Sequence, residues 1–362
     1  MLKIKPKKLF LPLIIFCALI FKYWSIWGLF NDNIKYVFFV ISILLSIFNI
    51  VLHTYNKKEL RNIFLFFLLS VIICYSTNEI DFIYSFILAI VFMKEDKGDY
   101  LFIKYFVISA VVLFSITIIL GKLGIISTFT GLRRVNGVVI ERNSLGFEHV
   151  NAVFKNFFPI CLGGYILCYS KSDRKKAILY LLMTIIGFIL YKATNCRTGY
   201  YVILLIIPLD ILMNRILKKF DFKISIYYFI IFTIISIIVS FVYGKSNNAI
   251  NVLLSDRPIF NYRLLTESQI TIFGDLNKGI VDNTYLWLIY HSGFIVFISY
   301  LLIYMFSVKK MFRNRVFLLP LFLFCLYSML EHLDFYNYNF LLILELMLLM
   351  KNNSISYKWL KN

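Results

Sequence analysis

Long uninterrupted apolar runs recur along the whole chain and constrain its fold more than any other feature. A helix needs about 20 apolar residues to cross the hydrocarbon core of a membrane. Stretches such as residues 101–120 and 224–243 meet this requirement. They do not alternate between apolar and polar residues as the strands of a membrane barrel do. The sequence therefore predicts an all-α, polytopic membrane helical bundle, and strands are not expected.

The composition agrees with this class. Charged residues make up 16% of the chain, against about 25% in soluble domains. The net charge of +19 lies mostly in short loops between apolar runs, so it does not predict nucleic-acid binding. The start, MLKIKPKK before the apolar run LFLPLIIFCALIF, resembles a signal peptide. It lacks a small-residue cleavage site and is followed by many more spans, which indicates an uncleaved first helix. Residues 1–362 are predicted to form a single multi-pass membrane domain.

Twelve apolar segments are candidate spans, and five of them are short. The short ones mostly form pairs around tight polar turns, so omitting the pair 62–93 or the pair 177–213 would keep the orientation. About twelve spans are therefore predicted, with ten as the alternative. The segments are residues 9–29, 34–52, 62–76, 80–93, 101–120, 147–169, 177–192, 198–213, 224–243, 283–306, 316–331 and 338–350.

The loop charges set the orientation. One set of loops carries 20 lysines and 5 arginines, and the other carries 5 lysines and 6 arginines. Because positive residues accumulate on the cytoplasmic side, both termini are predicted to be cytoplasmic. The two long loops, at about 121–146 and 244–282, then lie outside the cytoplasm.

The predicted outer segments favour arginine over lysine. The planar guanidinium donates two hydrogen bonds at once, which suits phosphate or pyrophosphate. Salt bridges with the outer acids are the alternative explanation. The six outer arginines are Arg133, Arg134, Arg142, Arg197, Arg257 and Arg263.

Polar residues crowd the point where the first long loop enters a span. If a helix begins near Leu145, then Glu148, Asn151 and Lys155 share one helical face and His149 points away. An ionisable stripe in a span normally faces a bundle interior or a water-filled cavity. The alternative is that Lys155 extends its amine to the membrane surface.

Two further segments bear arginines. In KATNCRTGYY, Arg197 lies between two short helices whose ends Thr194, Asn195 and Thr198 can cap; a purely structural clasp is the alternative. In the second long loop, IFNYRLLTESQITIF has helical apolar spacing and is predicted as an amphipathic surface helix. Arg263 lies within it, and Arg257 and Asp282 lie on either side, as expected for phosphate binding with a general base.

Other ionisable residues are weaker candidates. Glu331, His332 and Asp334 cluster at the last outer turn, and Glu345 lies in the final span. His291 is interpreted as a hydrogen-bonded structural residue. The four histidines lie in separate segments, without the spacing of a metal site, and no DxD pair is present. No metal and no cofactor is expected.

The chain resembles the Wzy-type polysaccharide repeat-unit polymerases. The run RNSLGFEHVN from Arg142 is similar to that family's R…SLGF-HPN motif. TNCRTGYY resembles its SRTG turn, SDRPIFNYRL the Arg-bearing start of its large loop, and VDNTYLWLIYHSGF its DN-S-Y…G span. Val150 stands where the family often has Pro, and Cys196 where Ser is usual. The resemblance covers roughly residues 130–300.

The resemblance implies polymerisation of undecaprenyl-diphosphate-linked glycan units into capsular or exopolysaccharide, in a bacterial cell membrane. The lipid bilayer, a chain-length regulator and a flippase are the accompanying partners. In this family no metal or nucleotide sugar is used.

The residue roles follow from the chemistry of a sugar–diphosphate bond, whose cleavage builds negative charge that arginines stabilise. Glu148, His149 and Asp282 are alternative bases for the acceptor hydroxyl. Arg142, Arg197, Arg257 and Arg263, and less directly Arg133 and Arg134, are predicted to bind the diphosphates.

Two other functions stay open from the sequence. An O-antigen ligase-like transferase shares the scaffold, but such enzymes generally carry a His in the large loop, and residues 244–282 contain none. A lipid-linked oligosaccharide flippase should show inverted repeats and broken helices at the membrane midplane.

Overall fold

Helices dominate the chain. A computed structural model describes residues 6–22, 32–135, 138–213, 222–245, 251, 254, 256–275, 281–311, 315–333 and 338–351. The first half contains α1 (Pro6–Lys22), α2 (Asp32–Val51), α3 (Lys57–Thr77), α4 (Asp81–Met93), α5 (Gly98–Lys122), β1 (Thr130–Val135), β2 (Val138–Asn143) and α6 (Val150–Cys168).

Helices and helical turns are the regular elements of the described second half. It contains α7 (Asp173–Thr194), α8 (Arg197–Leu204), α9 (Ile206–Ile211), a 3-10 turn (Phe222–Tyr227), α10 (Tyr228–Tyr243), α11 (Arg257–Glu267), α12 (Thr284–Leu286), a π-helical turn (Trp287–His291), α13 (Phe294–Met311), a 3-10 turn (Arg315–Phe317), α14 (Leu318–Ser328) and α15 (Phe340–Met350).

Six helical segments within the described ranges are long and apolar enough to cross a membrane: Lys57–Thr77, Gly98–Lys122, Val150–Cys168, Asp173–Thr194, Lys223–Tyr243 and Phe294–Met311. Five further apolar helices are shorter. The helices α3 and α7 leave most of their apolar residues exposed, as expected of surfaces that contact lipid, whereas α6 is mostly buried. The chain is thus a helical membrane protein, as predicted.

The described residues form two compact units. The first combines residues 1–54 with residues 90–207. In it α1 packs on α2 and α5, α5 packs on α6, and α6 packs on α7 and α8. Small residues allow the close contacts: a Cβ added to Gly163 would lie 2.4 Å from Cγ2 of Val107.

The second unit combines residues 55–89 with residues 208–356. Here α13 packs on α15 and α3, and α10 packs on α11 and α14. Asn56 begins α3 with a capping box, because its side chain accepts from Glu59 N at 2.9 Å while Glu59 accepts from Asn56 N at 3.0 Å. Asn78 ends the same helix in the left-handed conformation. Whether the two units act as a single multi-pass domain stays a prediction.

The all-α expectation misses one element, a two-stranded antiparallel hairpin in the first long loop. Thr130 pairs with Asn143 and Val135 pairs with Val138. The sequence between the last pair is Asn136–Gly137, the dipeptide most typical of a two-residue hairpin turn. This local signal was present but was outweighed by the helical pattern of the rest of the chain.

Three predicted helix boundaries were wrong. The surface helix predicted over residues 259–273 ends at Glu267, and residues 268–273 are not helical. The helix expected from near Leu145 begins at Val150, because Leu145 and Gly146 have positive φ values of 53° and 88° that a helix cannot contain. The span expected over 283–306 is interrupted after the π-helical turn, at Gly293 with φ 96°. The candidate span there begins at Phe294.

Candidate functional site

Arg142 lies in β2 and is held between the ends of two helices of the first unit. Its Nε donates to the carbonyl oxygen of Thr194 at 2.8 Å, and one terminal nitrogen donates to Oδ1 of Asn151 at 3.1 Å. Thr194 is the last residue of α7, and Asn151 lies in the first turn of α6. Both acceptors are uncharged, so they orient the guanidinium without cancelling its charge.

His149 caps the start of α6. Its Nδ1 accepts from the backbone N–H of Asn151 at 3.2 Å, and its ring lies 5.8 Å from that of Phe129. In this hydrogen bond Nδ1 is the acceptor, so the lone pair of that nitrogen serves the cap. The nitrogen that could take a proton is therefore already engaged, which favours a capping role over the predicted role as base.

Glu148 lies just before this cap rather than on the helical face predicted for it. The pKa of Glu148 is raised because the surrounding protein displaces water from its carboxyl, while Lys155 and Lys22 act in the opposite direction. The side chain is still exposed over part of its surface. A raised pKa brings a carboxylate closer to the range in which it can accept and return a proton.

Arg197 is the first residue of α8, directly after the turn that ends α7. Two of the three predicted capping residues end α7: Asn195 adopts φ 50°, and Oγ1 of Thr194 accepts from the backbone N–H of Cys196 at 3.2 Å. The third, Thr198, lies inside α8, where Cys196 is the N-cap. A Cβ on Gly199 would lie 2.3 Å from Cβ of Phe154 in α6. The close contact of α8 with α6 therefore fixes the position of Arg197.

In the second unit, three predicted site residues line one cavity. The cavity has a volume of about 260 Å³ and lies beside α11. Its lining combines cations, carboxylates, an amide and apolar groups, namely Arg257, Phe260, Asn261, Arg263, Leu264, Glu267, Ser268, Val281 and Asp282. The structure thus places Arg257, Arg263 and Asp282 together, as a polar ligand site requires.

Arg257 is a structural anchor of this cavity as well as part of its wall. One terminal nitrogen donates to the carboxylate of Glu331, which is fully buried. Its Nε lies 3.7 Å from Oδ2 of Asp282, and its other terminal nitrogen donates to the carbonyl of Leu254 at 3.3 Å. Much of the charge of Arg257 is therefore compensated by Glu331, a residue that the sequence suggested only as part of a cluster.

Two polar residues next to Asp282 form hydrogen bonds that connect the segments around the cavity. Asn283 Nδ2 donates to Oγ of Ser236 and to the carbonyl of Met329, both at 2.9 Å. Oγ1 of Thr284 donates to the carbonyl of Glu331 at 2.8 Å. These hydrogen bonds hold the backbone next to Asp282 beside the backbone of Glu331. The positions of the two carboxylates relative to Arg257 are therefore fixed.

Arg263 differs from Arg257 because it is exposed at the cavity wall. It lies six residues further along α11. Glu267, also exposed, lines the same cavity one helical turn later. Arg263 is therefore the cation of this cavity best placed to meet a ligand.

The remaining candidates have other surroundings. The ring of His291 stacks on Trp287 at 5.0 Å, and that of His332 lies 4.2 Å from Trp287, so both pack against an aromatic side chain. Glu345 is buried in α15. Arg133 and Arg134 lie in β1, but their side chains, like Asp334, lie outside the described residues.

The described part of the chain does not bring three His, Cys, Asp or Glu side chains together as a metal site would. Comparison of the whole chain with protein-family models, with curated proteins and with solved structures found no match.

Proposed function

We propose that this protein is a membrane glycosyltransferase that polymerises undecaprenyl-diphosphate-linked oligosaccharide units into a capsular or exopolysaccharide. The observation that carries the proposal is the cavity shared by Arg257, Arg263 and Asp282. These residues belong to two separate stretches that resemble the polymerase family, and the chain brings them together at a polar cavity. The reaction is inferred from the resemblance to the polymerase family, and the cavity is the proposed binding site for part of the substrate.

The proposed reaction transfers the growing glycan from its lipid diphosphate to a hydroxyl of a new lipid-linked unit. The bond between the anomeric carbon and the diphosphate oxygen breaks, and the acceptor oxygen forms the new bond to that carbon. The hydroxyl proton passes to a protein base, and undecaprenyl diphosphate leaves with the bonding electron pair. Cations placed at the leaving oxygen stabilise this charge in the transition state.

The arginines divide into two roles under this proposal. Arg142, Arg197 and Arg263 are the cations assigned to the diphosphates, with Arg133 and Arg134 as further candidates. Arg257, held by Glu331, shapes the cavity and contributes less net charge. Asp282 and Glu148 remain the better candidates for the base, since Nδ1 of His149 accepts a backbone hydrogen bond.

The proposal includes a membrane arrangement. About twelve spans, with both termini cytoplasmic, would place both arginine-bearing loops at the outer face of a bacterial cytoplasmic membrane. There they would meet units already moved across the bilayer. A flippase that delivers the units and a regulator of chain length are the partners that this reaction calls for.

The test is the size distribution of surface and lipid-linked glycan after deletion of the gene in its own host. We expect single units on the outer leaflet and no long chains, with full restoration by the intact gene. Long chains that remain on the lipid would indicate a ligase, and units trapped on the inner leaflet would indicate a flippase; either result would overturn the proposal.

A further inference from the structure

A short non-helical segment after α11 leaves three large apolar side chains exposed. The exposed fractions are 55% for Ile270, 64% for Ile272 and 51% for Phe273. We call residues 270–273 the apolar tip. Exposure of adjacent large apolar groups to water is unfavourable. The question is therefore which environment these three side chains contact.

The backbone of the apolar tip is joined to the first turn of α13. The N–H of Phe294 donates to the carbonyl of Thr271 at 3.0 Å, and that of Ile295 donates to the carbonyl of Ile272 at 3.2 Å. The first N–H groups of a helix have no partner within the helix. The apolar tip supplies that partner, and its own carbonyls are satisfied in return.

The apolar tip is also joined to the end of α3. The one hydroxyl proton of Ser76 is shared between two carbonyls, that of Phe273, 2.8 Å from Oγ, and that of Ser292, which is closer. Ser76 lies in the last turn of α3, and both α3 and α13 are long and apolar enough to be spans. The apolar tip therefore lies level with the end of one candidate span and the beginning of another.

Two glycines make this contact sterically allowed. A Cβ on Gly274 would lie 2.1 Å from the carbonyl oxygen of His291, and one on Gly293 would lie 2.3 Å from N of Gly274. Both residues also have positive φ, at 81° and 96°. The interruption of the helix at Gly293, before α13, therefore leaves space in which the backbone of the apolar tip packs.

We infer that the apolar tip inserts Ile270, Ile272 and Phe273 into the interfacial layer of the lipid bilayer, on the side where α3 ends and α13 begins. The carbonyls of Thr271, Ile272 and Phe273 are hydrogen-bonded, which lowers the cost of placing this non-helical backbone at that depth. Exposed neighbours continue the apolar surface onto both spans, since Tyr75 is 79% and Phe294 51% exposed. Glu267 and Ser268, which line the cavity, are separated from the apolar tip only by Gln269. Insertion therefore holds Glu267 and Ser268, which form the cavity rim, at the membrane surface. Under the proposed function, the headgroup of a lipid-linked substrate reaches the cavity at this surface.

The experiment measures the depth of the apolar tip in the full chain, reconstituted in phosphatidylcholine–phosphatidylglycerol nanodiscs. Cys74 and Cys168, the cysteines that are not buried, are first replaced by serine. Ile272→Cys is then labelled with an environment-sensitive NBD fluorophore. The matched control is Thr266→Cys, at an exposed position of α11 just before the cavity rim. If Ile272→Cys does not fold, Phe273→Cys takes its place.

We expect a lipid nitroxide near the headgroup to quench the label at residue 272 strongly and the label at residue 266 weakly, with aqueous iodide giving the reverse order. Iodide quenching at both positions would show that the tip lies in water and would overturn the inference. Protection of residue 272 from both quenchers would show that protein covers it, for instance a second copy of the chain, and would equally overturn it. The readout requires no enzymatic activity, so it stands apart from the proposed reaction.

Discussion

Arg142 and Arg257 looked alike in the sequence, yet the two units use them differently. Arg142 donates to a backbone carbonyl and to an amide, which are both neutral. Arg257 donates to the buried carboxylate of Glu331 and lies near Asp282. Neutral acceptors orient a guanidinium without cancelling its charge, whereas a buried carboxylate compensates it. The comparison teaches that an arginine's contacts, more than its presence in a loop, decide whether it can serve an anionic ligand.

Replacement of Arg142 should have the largest effect on function. For Arg142→Ala we expect polymer formation to fall about a hundredfold or more, the usual result of removing a donor from a charge-stabilising site. Arg142→Lys should recover little, because one ammonium nitrogen does not reproduce the planar fork whose separate nitrogens reach Thr194 and Asn151. Glycan size profiles, normalised to protein level in the membrane, measure this effect.

The control for that experiment is Arg174→Ala, which removes an exposed arginine at the start of α7. It should leave polymer formation unchanged. If Arg142→Ala still makes full-length polymer, the oriented guanidinium of the first unit has no part in the reaction, and the contrast with Arg257 loses its functional meaning.

Removal of Glu331 should have the largest effect on stability. Glu331→Gln leaves the buried charge of Arg257 with less compensation, so we expect a loss of about 3 kcal/mol in the free energy of unfolding. Glu267→Gln, at an exposed carboxylate of the same cavity, should change it by less than about 0.5 kcal/mol. Reversible unfolding in mixed detergent micelles compares the two variants.

An apolar pair at the same positions sharpens this test. The double variant Arg257→Met with Glu331→Leu should regain most of the lost stability, since a buried ion pair can often be replaced by packed apolar groups. Equal stability of Glu331→Gln and Glu267→Gln would contradict the buried ion pair itself.

Arg263 separates binding from stability within the second unit. Because it is exposed, Arg263→Ala should leave the midpoint of thermal unfolding unchanged. It should still lower the rate of polymer formation about tenfold at low substrate, the equivalent of one charged hydrogen bond. Thermal unfolding and polymer yield, measured on one preparation, test both parts. A stability loss as large as that of Glu331→Gln would assign Arg263 to the scaffold.

The smallest expected effect concerns the pH dependence of the first unit. The folded-state pKa of Glu148 lies above its usual value of 4.5, so the folded state binds more protons than the unfolded state in the interval between the two pKa values. Stability therefore falls as pH rises from about 4.5 through the folded pKa. Glu148→Gln should abolish this decline, so its advantage in melting temperature over the parent should grow across that interval and then level off. An advantage independent of pH would rule out the raised pKa.

The helical membrane class followed from local information, whereas the site did not. A continuous apolar run of about 20 residues already dictates a helix in a bilayer, because every backbone polar group must be paired within its own segment. Asn195 ended α7 where its position suggested, since Asn adopts the left-handed conformation readily. By contrast, the contact between Arg257 and Glu331 joins residues 74 positions apart, and no local pattern encodes it.

The sequence by itself determined the apolar helices, the segments that carry arginine and the turns where helices end, because each of these depends on neighbouring residues. It also contained the hairpin signal Asn136–Gly137. The tertiary structure decided that α6 begins at Val150 and that a span begins only at Phe294. It also decided that Arg257 meets the buried carboxylate of Glu331. These outcomes depend on steric contact and charge pairing between segments that are distant in the sequence, so only the folded chain could set them.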